Sequence, residues 1–241
     1  MEITSKTNPK VKFIRKLQNK KFRQESSNFV IEGEHLIKEA LDSNLIIEIF
    51  ENIDSKEFLF DGSTKVTREI IESVLPSKNP QNCFALCKFK PEQKLGQKVI
   101  VLNNLQDPGN VGTIIRLAKA FDFDSVIIEN LDFYNDKVLR SSQGAFFSVN
   151  LIATKNANQT ISLLREKGYK IYHTLLDKNA LPLNNVSFES EKLAIIFGNE
   201  GNGIDPSLVS QEDTKVYVPI SFESLNVACC AAIVLNKVRN G

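Results

Sequence analysis

The chain has 241 residues, 42% hydrophobic and 24% charged, with 30 Lys+Arg against 29 Asp+Glu and a formal net charge of +1. This composition excludes a collagenous or wholly disordered chain, and the length allows one large domain or two smaller ones. The longest unbroken apolar run, 227–235, is too short to span a bilayer, and the first ten residues lack the apolar core of a secretory signal. A cytoplasmic protein with no membrane partner is therefore expected.

The charge is unevenly placed. Residues 1–24 hold eight bases (Lys6, Lys10, Lys12, Arg15, Lys16, Lys20, Lys21 and Arg23) and one acid, Glu2, so the remainder is mildly acidic. A basic head of this kind suits a polyanion, with a solvated helix face as the plain alternative. Asn8 followed by Pro9 reads as a helix start, and Phe13 and Leu17, four apart, predict a short helix with one apolar side.

Residues 29–33 read as a strand, 35–43 as a helix, 45–50 as a strand, 67–75 as a helix and 83–89 as a strand. This alternation predicts a small α/β layer. A polar stretch with Pro91 and Gly96 reads as a linker, which gives domains of 1–92 and 98–241. Beyond it, 99–105 and 125–130 are continuous apolar runs, as in strands covered on both faces, with an amphipathic helix between them over 110–121. Strands at 149–153, 169–176, 192–198 and 215–220 come next, with a helix over 157–167. A last helix, 225–240, is apolar nearly all round and is expected to be buried, partly against another subunit. The four cysteines (83, 87, 229 and 230) lack metal-ligand spacing, and only His35 and His173 could join them. Buried free thiols and no metal are expected.

Three segments lie at the C-terminal ends of these strands, where α/β sheets place their ligands. In 102–116, a strand runs into Asp-Pro-Gly-Asn and a helix; a Pro-Gly turn with a cap would explain most of it. Arg116 near that helix start opposes the helix dipole and is easier to understand if an anion meets it. In 195–205, Gly198, Gly201 and Gly203 surround Glu200, either as a wide turn or as a place where a ligand approaches main chain. In 218–230, Ser224-Leu225-Asn226 opens the last helix, and an N-cap serine is the plain reading.

In this order, DPGNVGTIIR (107–116), FGNEGNGI (197–204) and VPISFESLNVA (218–228) resemble the three motifs of the SpoU (TrmH-like) branch of the SPOUT RNA methyltransferases. The front, ITSKTNPKVKFIRKL with FVIEGEHLIKEAL, is similar to the RNA-binding domain, itself like ribosomal protein L30e, that precedes many members. The resemblance implies an α/β chain: a small N-terminal L30e-like domain, then a SPOUT domain with a C-terminal trefoil knot. It further implies S-adenosyl-L-methionine in the knot and an active site at a homodimer interface. Asn110, Arg116, Glu200, Ser224 and Asn226 match the catalytic positions. Thr174, Leu175, Gly198, Val218, Ile220 and Leu225 match the cofactor positions. RNA contacts would come from Lys10, Lys12, Arg15, Lys20 and Arg23 of the basic head, and from Arg140 and Ser142, whose surroundings otherwise read as a loop-to-strand connection. The chain departs from the pattern at 220–223, where members often have a small or glycine-containing stretch, and at Asp107-Pro108.

The implied reaction is methyl transfer to a ribose 2′-hydroxyl of RNA, with the front domain favouring rRNA. Methylation of tRNA and a noncatalytic RNA-binding assembly factor are the alternatives. A Rossmann-type NAD enzyme is disfavoured, because the first strand–helix turn lacks the dinucleotide glycine spacing.

Overall fold

The computed structural model describes residues 1–177 and 179–241. It divides into two compact units, Met1–Pro91 with Tyr134–Phe147, and Glu92–Phe133 with Ser148–Gly241.

The first unit opens with β1 (Glu2–Ile3) and α1 (Pro9–Lys16). The Asn8 side chain accepts from the Lys10 amide and Pro9 occupies the first turn, as the sequence predicts. The buried side of the helix is Val11 and Ile14, continued by Leu17, whereas Phe13 is only half-buried and meets Phe22 edge-on at 5.4 Å. The basic head is thus a layer of the core rather than an appended arm. A second helix, α2 (Lys20–Ser26), has no counterpart in the sequence pattern; its only buried residue is Arg23, so no apolar period announces it. Then come β2 (Asn28–Glu32), α3 (Glu34–Ala40), β3 (Ile46–Asn52), β4 (Thr64–Val66), α4 (Arg68–Val74) and β5 (Cys83–Lys88). The sheet order is β1-β4-β3-β5-β2, with β5 antiparallel to both of its neighbours. Phe50 and Phe84 face each other across β3 and β5 with rings stacked at 4.7 Å, and α1 and α4 close over them.

The second unit contains β6 (Lys98–Leu102), α5 (Pro108–Ala120) and β7 (Ser125–Glu129). Next in the chain are α6 (Asp136–Ser142) and α7 (Ala145–Ser148), helices where the sequence reads as a loop-to-strand connection. Asn135 starts α6 by accepting from the Lys137 amide, a short polar cap with little apolar pattern behind it. Residues 134–147 pack in the first unit: Tyr134 stacks on Phe89 at 3.7 Å, and Phe146 meets Phe29 at 5.6 Å. Lys90 donates from its amide to the Tyr134 hydroxyl and from Nζ to the Phe146 carbonyl, and burial brings its ammonium down to about 8.

The second unit continues with β8 (Asn150–Thr154), α8 (Ala157–Glu166), β9 (Lys170–Thr174), β10 (Leu181–Pro182), β11 (Leu193–Phe197), β12 (Thr214–Tyr217) and α9 (Val227–Asn240). Its seven strands form one parallel sheet, ordered β10-β12-β9-β11-β6-β7-β8. The central strands β6 and β11 are apolar without alternation because both faces are covered. Helix α9 packs on α5, and its buried residues are Val227, Ala228, Ala231, Val234 and Leu235. It is not buried all round: Cys229, Ile233 and Asn236, at i, i+4 and i+7, form an exposed stripe. Cys229 therefore departs from the expected buried thiols, whereas burial pushes Cys83 and Cys87 up to about 12.

Replacing Phe84 by Ala should remove about 3–5 kcal/mol of stability by opening a cavity between the two sheet strands and the helices above. Phe50→Ala should do the same, and the double variant should lose less than the sum. Denaturant unfolding of the four proteins measures this.

Candidate active site

The parallel sheet ends its central strands at one edge, and the site is built from the loops that leave those ends. After β11 the chain turns at Gly198. A Cβ there would lie within 2.6 Å of the Gly203 carbonyl oxygen, so only glycine allows the loop to fold back on its own root. Asn199 and Gly203 exchange amide–carbonyl hydrogen bonds of 2.9 and 3.0 Å, and Gly203 takes φ +68°. The Asn199 side chain accepts from the amides of Gly201 and Asn202 and donates to the Asn104 carbonyl. Glu200 is thereby held at the tip of the loop.

Glu200 accepts from the Asn110 side-chain amide at 3.0 Å and from the Gln106 amide at 3.3 Å. Asn226 then donates to the Asn110 carbonyl oxygen at 3.0 Å, while its own Oδ1 accepts from the amides of Ala228 and Cys229 at the start of α9. The orientation of every amide in this chain is forced. An ionised carboxylate only accepts, so Asn110 must turn its NH2 to Glu200 and its oxygen to Asn226. Burial works against the Glu200 charge. The hydrogen bonds from Asn110, its own amide, Gln106 and Asp107 outweigh that and hold the carboxyl below its ordinary 4.5.

Beside this triad a cleft opens between β9, β11, β12 and the segment before α9, with about 760 Å³ of atom-free space including its mouth. That is the size of a small-molecule or cofactor site. Thr174, Leu175, Gly198, Val218, Ile220 and Leu225 all line it, with Glu200 and Ser224 at the same walls. The sequence reading missed Ile204, Val216 and Cys230 of the lining; apolar side chains in and around strands carry no signal of their own. Helix α9 is capped by Asn226 and not by Ser224, which is exposed.

The structure does not bring Arg116 to the triad. It lies on the exposed side of α5 with Thr113 and Ala120, and makes no ion pair among the described residues. Two residues expected to touch RNA are placed inside. Arg23 is 7% exposed and donates to the carbonyls of Leu17 and Gln18, tying the end of α1 to α2. Ser142 is fully buried and donates to Leu139. Lys10 pairs with Glu48 at 2.6 Å and Arg140 with Asp136 at 2.7 Å. Lys12, Arg15 and Lys20 are exposed and make no ion pair among the described residues.

A parallel α/β sheet with a cleft at its strand ends and a polar relay at the rim is the arrangement in which such sheets place their ligands. Residues 97–236 match the SpoU rRNA Methylase family, and residues 8–85 match the MRM3-like substrate binding domain. The chain is 37% identical to the 23S rRNA (guanosine(2553)-2'-O)-methyltransferase RlmP of Bacillus subtilis, over 99% of each chain. Among solved structures, a putative TrmH-family RNA methyltransferase from Porphyromonas gingivalis superposes with TM-score 0.85 at 27% identity, covering 97% of this chain and 98% of that one. An rRNA methyltransferase from Sinorhizobium meliloti superposes with TM-score 0.86 at 26% identity, covering 100% and 97%. The chain belongs to the SpoU rRNA methylase family and is an RNA methyltransferase of that family.

Because the folded carboxyl of Glu200 is lowered, its grip on Asn110 is complete above pH 4.5 and is lost as pH falls through the lower folded value. Carbon-detected NMR titration should place the Glu200 carboxyl midpoint below 4.5, its resonance being the one that disappears in Glu200→Gln.

Proposed function

We propose that the protein transfers a methyl group from S-adenosyl-L-methionine to a ribose 2′-hydroxyl of 23S-type rRNA, as a cytoplasmic homodimer. The observation that carries this reading is the union of the apolar cleft with the Glu200–Asn110–Asn226 relay at its rim. The cleft fits the methyl donor. Its walls offer aliphatic side chains for a flat base, and Gly203 leaves open space where a side chain would stand. Thr174, Leu175, Gly198, Val218, Ile220 and Leu225 would hold it. The donor supplies a methyl already activated on a sulfonium, so the protein needs to align the acceptor and manage one proton. S. meliloti rRNA methyltransferase has been crystallised with AdoMet bound, and the B. subtilis relative is a 2′-O-methyltransferase by name.

In this reading the relay keeps the loop of Glu200, the start of α5 and the start of α9 in one arrangement around the acceptor hydroxyl. Arg116 grips the phosphate beside the target ribose and stabilises the developing alkoxide; a guanidinium offers donors and no acceptor, so it serves poorly as a base. Its solvent-facing position on α5 leaves it available to a second copy, as does the exposed stripe of Cys229 and Ile233 on the helix packed against α5. The trefoil threading of the C-terminal segment belongs to the same proposal.

Three measurements test it. A 2′-O-methyl map of rRNA and tRNA from a deletion strain should lose one 23S position; loss at a tRNA position instead moves the substrate, and an unchanged map rejects the enzyme reading. Arg116→Lys should lower turnover on the order of a hundredfold through loss of the bidentate grip; near-wild-type turnover removes the phosphate role. Substituting Lys12, Arg15 and Lys20 together by Gln should weaken RNA binding and reduce its salt slope by roughly two, at about 0.7 per cation on single strands. S-Adenosylmethionine affinity should not change.

A further inference from the structure

We propose that Asp213, together with His173 and Arg165, positions the walls of the methyl-donor cleft, an inference that rests on the cofactor reading above. Asp213 is the residue immediately before β12, and its side chain is 2% exposed. Three elements converge on this one carboxylate. His173 of β9 donates from Nε2 to Oδ2 at 2.8 Å. Arg165 of α8 donates from Nε to Oδ1 at 3.0 Å and from Nη2 to Oδ2 at 2.6 Å. The Ser210 amide donates at 2.9 Å. The same Arg165 Nη2 also holds the Leu208 carbonyl at 2.7 Å, which fixes the chain just after Gly203 and Ile204.

Each arm ends at a wall of the cleft. Thr174 and Leu175 come directly after His173, Val216 lies three residues after Asp213, and Gly203 and Ile204 precede the segment gripped by Arg165. Asp213 thus ties β9, β12 and the loop after β11 into one frame without touching the cavity. Among the described residues, the other charges acting on the cluster are Lys215, opposite His173 in the neighbouring strand, and Glu212, which acts on Arg165.

Stability alone does not account for His173. It is wholly buried, and its Nδ1 has no hydrogen-bond partner among the described residues. An aliphatic side chain would avoid an orphaned polar atom in a sheet centre. A residue that breaks this rule beside a ligand site is understood if its one hydrogen bond aligns that site. Desolvation keeps the ring neutral, and its single partner is an acceptor, which assigns the proton to Nε2.

The test is calorimetric titration of S-adenosylmethionine into the full-length wild type, His173→Leu, His173→Gln and Asp213→Asn, with RNA binding and thermal unfolding measured on the same proteins. The expected result is an S-adenosylmethionine Kd weakened on the order of tenfold in His173→Leu and Asp213→Asn, with RNA Kd unchanged. KM for the donor should rise more than kcat falls. His173→Gln, which keeps an N–H to offer Asp213, should recover most of the affinity. Wild-type donor affinity in a folded His173→Leu overturns the proposal, as does parallel loss of donor and RNA binding. If Asp213→Asn does not fold, the two His173 variants decide alone. Failure of the wild type to bind the donor rejects the cofactor reading itself and this inference with it.

Discussion

The active-site geometry depends on one close approach: the main chain at Gly203 and Ile204 passing against the α-carbon of Gly198. No side chain fits between them, so the loop after β11 returns to its own origin instead of spreading over the sheet edge. The return places Glu200 beside Asn110 on α5. Asn110 in turn reaches Asn226, and Asn226 starts α9. Three segments far apart in the chain thus share a single polar relay, and a glycine replacement at 198 would break it at its root.

The relay also explains why the last helix begins where it does. A serine cap at Ser224 would satisfy the amides of α9 equally well by local rules. The cap falls two residues later because Asn226 has both an acceptor for those amides and a donor for Asn110, which a serine hydroxyl cannot supply together. The displaced Ser224 is left exposed at the cleft wall, free of a structural task. Local stability and site geometry are met by one side chain, Asn226.

The elements whose side chains alternate or recur with a clear period were legible in the sequence: β2, β5, α4 and the buried runs of β6, β7 and β11. The three motifs were legible as well, because glycine, asparagine and arginine at those spacings have few structural excuses when they occur together. Helix α2 was not, since its inward residue is Arg23, whose guanidinium completes backbone hydrogen bonds rather than an apolar stripe. Helix α6 was hidden for a related reason: a serine-rich stretch favours loops locally, and only burial of Val138, Leu139 and Ser142 makes it helical. The place of Arg116 could not be read either. Helical spacing puts it near Asn110 along the axis, but the sequence does not say which side of α5 faces the other elements.

Total charge obscured the nucleic-acid reading and its distribution revealed it, yet the structure divides the basic head once more. Val11, Ile14 and Leu17 belong to the core of the first unit, so removing the first 24 residues would remove a layer of that core along with the cations. Of the eight bases, Arg23 is internal, Lys10 is neutralised by Glu48, and Lys21 sits 3.9 Å from Glu25. Lys16 lies over the Phe22 ring at 5.5 Å. What remains to attract a phosphate backbone is a smaller set: Lys12 and Arg15 on α1, whose other side is fixed in the core, with Lys20 at the start of α2 and Lys6 before α1. Cations held on a packed helix lose less freedom on binding than cations on a loose arm. A few of them can therefore orient RNA on the substrate-binding unit while the chain as a whole stays near neutrality.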